Sequence, residues 1–126
     1  MQAATAKTIL ICEDDENLRQ LIRVVIGTGY RIVEAEDGYE ALALAREHRP
    51  DLIILDLMLP RLSGIDVLRA LREDLSADGT HILVMSAWPK ADEAAVNAGA
   101  DAFLPKPFEA DELSAVVAEV LGSPAS

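Results

Sequence analysis

Pro50-Asp51-Leu52-Ile53-Ile54-Leu55-Asp56-Leu57-Met58-Leu59-Pro60 is the stretch that decides the fold. Four consecutive aliphatic residues, Leu52 to Leu55, lie between a proline and a carboxylate. A half-solvated strand would alternate apolar and polar residues. An unbroken apolar run of this length reads as a strand buried on both faces, as in a parallel sheet. Asp56 then stands at the carboxyl end of that strand, where an ionised carboxylate is costly unless something uses it. Two other strand-like runs also end in charge. Ile9-Leu10-Ile11-Cys12 is closed by Glu13-Asp14-Asp15, and Ala102-Phe103-Leu104 by Pro105-Lys106-Pro107. Charges of complementary sign at three strand ends point to one polar site at one edge of a sheet.

Around these runs the sequence predicts five repeats of strand then helix. The strands are expected at 8–12, 31–35, 52–55, 82–85 and 102–104. A helical stripe of Leu18, Leu21, Ile22, Val25 and Ile26 follows the first strand and ends at Gly27 and Gly29. Asp15 and Asn17 are read as its caps. The second helix opens at Gly38 and stops before Pro50. The third starts at Ser63 or Gly64, and the fourth runs from Ala91 to Ala98. The last is capped by Asp111 and carries Leu113, Val116, Val117, Val120 and Leu121. Strict strand–helix alternation implies a doubly wound α/β fold, a five-stranded parallel sheet covered by helices on both faces. Such sheets carry their sites at the carboxyl ends of the strands. Residues 1–6 read as a tail, 7–121 as one domain and 122–126 as a tail or linker stub.

The 126-residue chain suits one domain, and 51% hydrophobic residues supply a core without staples. A net charge of −11 argues against nucleic acid or an anionic membrane as a partner of this domain, since both need a basic face. The lone Cys12 excludes an internal disulfide and agrees with a reducing compartment. No apolar stretch has transmembrane length and no signal-peptide pattern opens the chain, so a cytoplasmic protein is expected.

Neighbouring first and third strands would bring Glu13, Asp14 and Asp56 together. Carboxylates roughly 5 Å apart repel by about 3 kcal/mol at an effective dielectric near 20. A divalent cation removes that repulsion, and oxygen-only ligands favour a hard ion such as Mg²⁺. Lys106 adds a point charge suited to a phosphoryl oxygen or to Asp56. Ser86 supplies a hydroxyl at the end of the fourth strand. Together these groups fit stabilisation of a transferring phosphoryl group, with Asp56 as nucleophile.

The motifs Ile9–Glu16, Pro50–Pro60, Ile82–Ala87 and Gly99–Phe108 resemble those of response-regulator receiver domains, the phosphoacceptor half of two-component signalling. The resemblance spans about residues 7–121. It implies a flavodoxin-like (βα)5 fold with strand order 2-1-3-4-5. It also implies that Asp56 accepts a phosphoryl group from a histidine kinase or phosphotransfer protein. Glu13 and Asp14 would hold Mg²⁺ with Asp56 and the backbone carbonyl of Met58. Lys106 would bridge to the phosphoryl group from a cis Lys106–Pro107 bond. Ser86 and Phe103 would be the switch pair. The resulting shift would change binding to a downstream effector protein or a second copy of the chain. The expected role is a regulatory phosphoacceptor rather than an enzyme.

Three departures from the family pattern stand out. Phe103 lacks a hydroxyl and can signal only by shape. The segment from Ser86 to Gly99 is short, which bears on the usual output surface. Met58 and Trp88, two residues beyond Asp56 and Ser86, flank the phosphoryl position with bulky apolar groups that cannot orient an attacking water. A long-lived phosphorylated state is therefore expected.

Alternatives are a receiver-like interaction module that is never phosphorylated, and an N-terminal fragment that has lost an effector domain. An aspartyl phosphatase of the haloacid-dehalogenase type would need a second aspartate where Met58 stands. A dinucleotide site fails because Gly27-Thr28-Gly29 precedes a strand and the third glycine is missing.

Overall fold

The computed structural model describes residues 6–75 and 79–122. The expected tails at 1–6 and 122–126 lie outside these residues except for Ala6 and Gly122. In chain order the elements are β1 (Lys7–Cys12), α1 (Glu16–Ile26), β2 (Tyr30–Ala35), α2 (Gly38–His48) and β3 (Leu52–Asp56). They continue with α3 (Gly64–Leu75), β4 (His81–Ser86), α4 (Ala91–Asn97), β5 (Ala102–Pro105) and α5 (Ala110–Leu121). The strands form one parallel sheet in the order β2-β1-β3-β4-β5. This is the expected doubly wound topology. The reversal of order falls between β1 and β3, the strands that carry the acidic residues.

Successive side chains of a strand point to opposite faces, and the core divides accordingly. Leu10, Cys12, Ile53, Leu55, Ile82 and Val84 pack with Ala41 and Ala45 of α2, Val67, Leu68 and Leu71 of α3, and Ala91 and Ala95 of α4. On the other face Ile9, Ile11, Leu52, Ile54, Leu83 and Met85 pack with Ile22 and Ile26 of α1 and Leu113, Val117 and Leu121 of α5. Every residue of β3 is buried, as its unbroken apolar run requires.

Several local expectations need correction. Asp15 does cap α1: its Oδ1 accepts the N–H groups of Asn17 (2.8 Å) and Leu18 (3.4 Å). Asn17, however, lies within the helix. Asp111 also lies inside its helix. The cap of α5 is Glu109, locked in a reciprocal box with Glu112. A glutamate seldom fills that position, and the box with a second glutamate compensates. In α1 the inward stripe is Arg19, Ile22 and Ile26, while Leu21 is 46% exposed. α4 has seven residues, with Lys90 at its N-cap in the left-handed region (φ 61°) and Ala98 as its C-cap. It is the shortest of the five helices among the described residues, in line with the short Ser86–Gly99 segment.

Candidate functional site

Register brings the charged groups together. Cys12 lies opposite Leu55 in the β1–β3 ladder, so Glu13, the next residue, comes level with Asp56. On the other side Asp56 lies opposite Met85, and Ser86 opposite Pro105. Lys106 therefore leaves the sheet beside Ser86, whose carbonyl accepts its backbone N–H at 3.0 Å. Three strand ends converge at one edge of the sheet.

Lys106 occupies the centre of that convergence. Its Nζ lies 2.8 Å from Asp56 Oδ2 and 2.8 Å from Glu13 Oε1. Asp56 is 2% exposed and Glu13 1%, so these charge-assisted bonds run through a medium where they count for more than in water. The remaining carboxylate oxygens are also engaged. Asp56 Oδ1 accepts the Met58 N–H at 2.9 Å, and Glu13 Oε2 accepts the Asp15 N–H at 3.1 Å. Asp14 is exposed.

One ammonium does not balance three carboxylates. Burial pushes the Glu13 carboxyl up to about 7 despite its hydrogen bond to Lys106, and the nearby Asp56 adds to the rise. Burial works against the Lys106 ammonium too, yet the hydrogen bonds to Asp56 and Glu13 outweigh it and hold the lysine above its ordinary value. One oxygen from each of Glu13, Asp14 and Asp56 lies within 4.8 Å of the others. An all-oxygen donor set with surplus negative charge and one exposed member fits a hard divalent cation that keeps part of its water.

Ser86 is buried, and its Oγ accepts the Trp88 N–H at 3.0 Å. Phe103 on β5 is partly buried against the core on the α2, α3 and α4 side. The Lys106–Pro107 bond is cis. The Met58 and Trp88 side chains are 53% and 42% exposed. The structure thus gathers Glu13, Asp14, Asp56 and Lys106 into direct proximity, with Ser86 at the adjoining strand end. Cys12, directly below, is fully buried; its thiol is pushed far up by burial first and by Glu40 second.

Arg19 adjoins the site although none of the site motifs points to it. It is buried, and its Nη1 donates to the Glu13 carbonyl at 2.7 Å. The available signal was its spacing: three and seven residues ahead of Ile22 and Ile26, it belongs to the stripe that faces the sheet.

Comparison with known proteins agrees with this arrangement. The family model for the response regulator receiver domain matches residues 9–118. Response regulator MprA of Mycobacterium sp. (strain KMS) is 44% identical over 110 residues, covering 85% of this chain and 47% of MprA. MprA of Mycobacterium leprae is 41% identical over 116 residues, or 90% of this chain and 50% of the relative. The chain thus spans about half the length of these curated relatives. Among solved structures, a putative response regulator from Chloroflexus aurantiacus superposes with a TM-score of 0.85 at 32% identity, covering 94% of this chain and 100% of that one. The chemotaxis response regulator CheY4 of Vibrio cholerae gives 0.83 at 31% identity, covering 93% and 100%. Three strand ends, one lysine between two buried carboxylates, and a match running through nearly every element place the chain in the family of response-regulator receiver domains.

Proposed function

We propose that this domain is a phosphorylation-controlled switch with Asp56 as the phosphoacceptor. The observation that carries the reading is the grip of Lys106 on both Asp56 and Glu13 at 2.8 Å. An oxygen of Asp56 attacks the phosphorus of a kinase or phosphotransfer-protein phosphohistidine. The new O–P bond forms as the N–P bond breaks, and the imidazole nitrogen keeps the electron pair and takes a proton from water. Lys106 turns its ammonium to the incoming phosphoryl oxygens, where charge accumulates. Glu13, Asp14, Asp56 and the Met58 carbonyl would hold Mg²⁺, which supplies further neutralisation of that charge. The domain is a regulatory phosphoacceptor acting in the cytoplasm rather than a turnover enzyme.

Signalling follows from a displacement of the Ser86 hydroxyl. Its Oγ is now engaged by the Trp88 N–H. A phosphoryl group on Asp56 accepts the Ser86 O–H, and as Oγ is drawn toward it the bond that Oγ accepts from the Trp88 N–H is lost and the β4–α4 loop moves. Phe103 then repacks, and the population shifts between two arrangements of the α4, β5 and α5 surface. A downstream protein reads that surface. The test is an amide NMR spectrum before and after a small phosphodonor with Mg²⁺. The Trp88 amide resonance is expected to move in the wild type and to stay in Asp56→Asn. An unmoved Trp88 amide in a phosphorylated protein would contradict the switch.

Two further outcomes are expected. Mg²⁺ at tenfold its dissociation constant should stabilise the protein by about 1.4 kcal/mol, roughly 5 °C in Tm. Asp14→Ala should abolish that shift, as differential scanning fluorimetry would read. The exposed Met58 side chain has no group to orient water, so Met58→Asn should shorten the phosphoryl lifetime. An equal or slower decay in the variant would refute this.

A further inference from the structure

We propose that Arg19 is a positioning residue, setting the Glu13–Asp14 pair in the geometry that binds a divalent cation. The inference rests on the reading of that acidic cluster as a cation site. Among the described residues Arg19 is the one buried lysine or arginine, 7% exposed. A buried guanidinium is costly unless its donors are paired, and leucine would fill the same place on the inward stripe of α1 without that cost. Arg19 spends its donors on two partners. Its Nη1 bonds the Glu13 carbonyl at 2.7 Å, and its Nε bonds Glu34 Oε1 on β2 at 2.9 Å. Arg23 Nη1 holds the same Glu34 oxygen at 2.6 Å, so Glu34 is a fixed anchor rather than a mobile one.

The bond to Glu13 falls at a decisive point. The Glu13 carbonyl and the Asp14 N–H belong to one planar peptide unit. Holding that carbonyl therefore holds the plane linking the two acidic residues. The preceding unit is fixed as well, since the Glu13 N–H donates to the Ala35 carbonyl at 3.0 Å. Asp14 is exposed, so backbone direction rather than packing sets where its carboxylate lies. Partners that orient metal ligands in this way typically govern 10–100-fold in metal affinity.

Calorimetric titration of the whole chain with Mg²⁺, paired with thermal unfolding, tests the assignment. Arg19→Met is expected to weaken binding by about tenfold or more. Arg19→Lys is expected to weaken it by about threefold or more, because an ammonium lacks the rigid fork that reaches both partners. Arg23→Met leaves the bond to the Glu13 carbonyl in place and should keep the wild-type affinity within about twofold, whatever stability it loses. Wild-type affinity in Arg19→Met would overturn the proposal, as would an equal loss in Arg23→Met. If Arg19→Met fails to fold, Arg19→Lys decides, and an unchanged affinity there overturns it. Absence of binding by the wild type would instead remove the cation-site reading itself, and this inference with it.

Discussion

Lys106→Met is expected to slow phosphoryl uptake from a small-molecule donor by about 10²–10³-fold while the chain stays folded. That is the usual effect of removing one preorganised donor from a site where transition-state charge develops. The same change has a stability signature. Lys106 is the cation that Glu13 and Asp56 share, both of them buried. Breaking a buried pair leaves uncompensated charge, and the lysine's partial exposure moderates the loss to about 2 kcal/mol at pH 8. Protonation of Glu13 supplies the escape. Its carboxyl titrates at about 7 in the fold against an ordinary 4.5. Between those values the folded state binds more protons than the unfolded one, so this group's contribution to cation-free stability falls as pH rises through that window. Without Lys106 the proton is held to higher pH and the fall continues further into the alkaline range. The deficit of Lys106→Met relative to wild type should thus be smaller near pH 5, where only the pairing with Asp56 is lost, and grow toward pH 8. Denaturant unfolding at the two pH values, without divalent cation, measures it; a deficit independent of pH would contradict the account.

Gly64→Ala is expected to cost about 3 kcal/mol, lowering Tm by roughly 10 °C. At an ordinary helical position alanine gains up to about 1 kcal/mol over glycine. Here a Cβ would sit 2.2 Å from the Leu57 carbonyl oxygen and 2.4 Å from Leu57 Cα. Those are backbone atoms, which no rotamer change can clear. The start of α3 or the loop after β3 must move, and that loop begins one residue after Asp56. A drop in phosphoryl uptake should accompany the loss of stability. By contrast Gly27→Ala meets no atom within 4 Å and is strained only by its φ of 78°. It serves as the comparison in the same thermal melt.

The two glycines show what the sequence withholds. The run from Leu52 to Leu55 announces a buried parallel strand, because only burial on both faces tolerates four aliphatic residues in succession. The charges after Cys12, Leu55 and Pro105 announce the site, because parallel strands align their carboxyl ends. Close backbone approach at Gly64 leaves no such trace; one glycine looks like another until its neighbours are in place. Residue preference points to Asp111 as the cap of α5, whereas the Glu109–Glu112 box that caps it depends on side-chain length. Arg19 reads as a solvated charge on an apolar stripe until β2 supplies Glu34 to receive it.

The most direct test is intact-mass spectrometry after incubation with Mg²⁺ and a small phosphodonor, with Asp56→Asn alongside. A mass gain of one phosphoryl group in the wild type and none in Asp56→Asn is the predicted result. No gain in a folded wild type with Mg²⁺ bound, or an equal gain in both proteins, would contradict a phosphoacceptor role for Asp56. The first of those outcomes would favour an interaction module that works without phosphorylation.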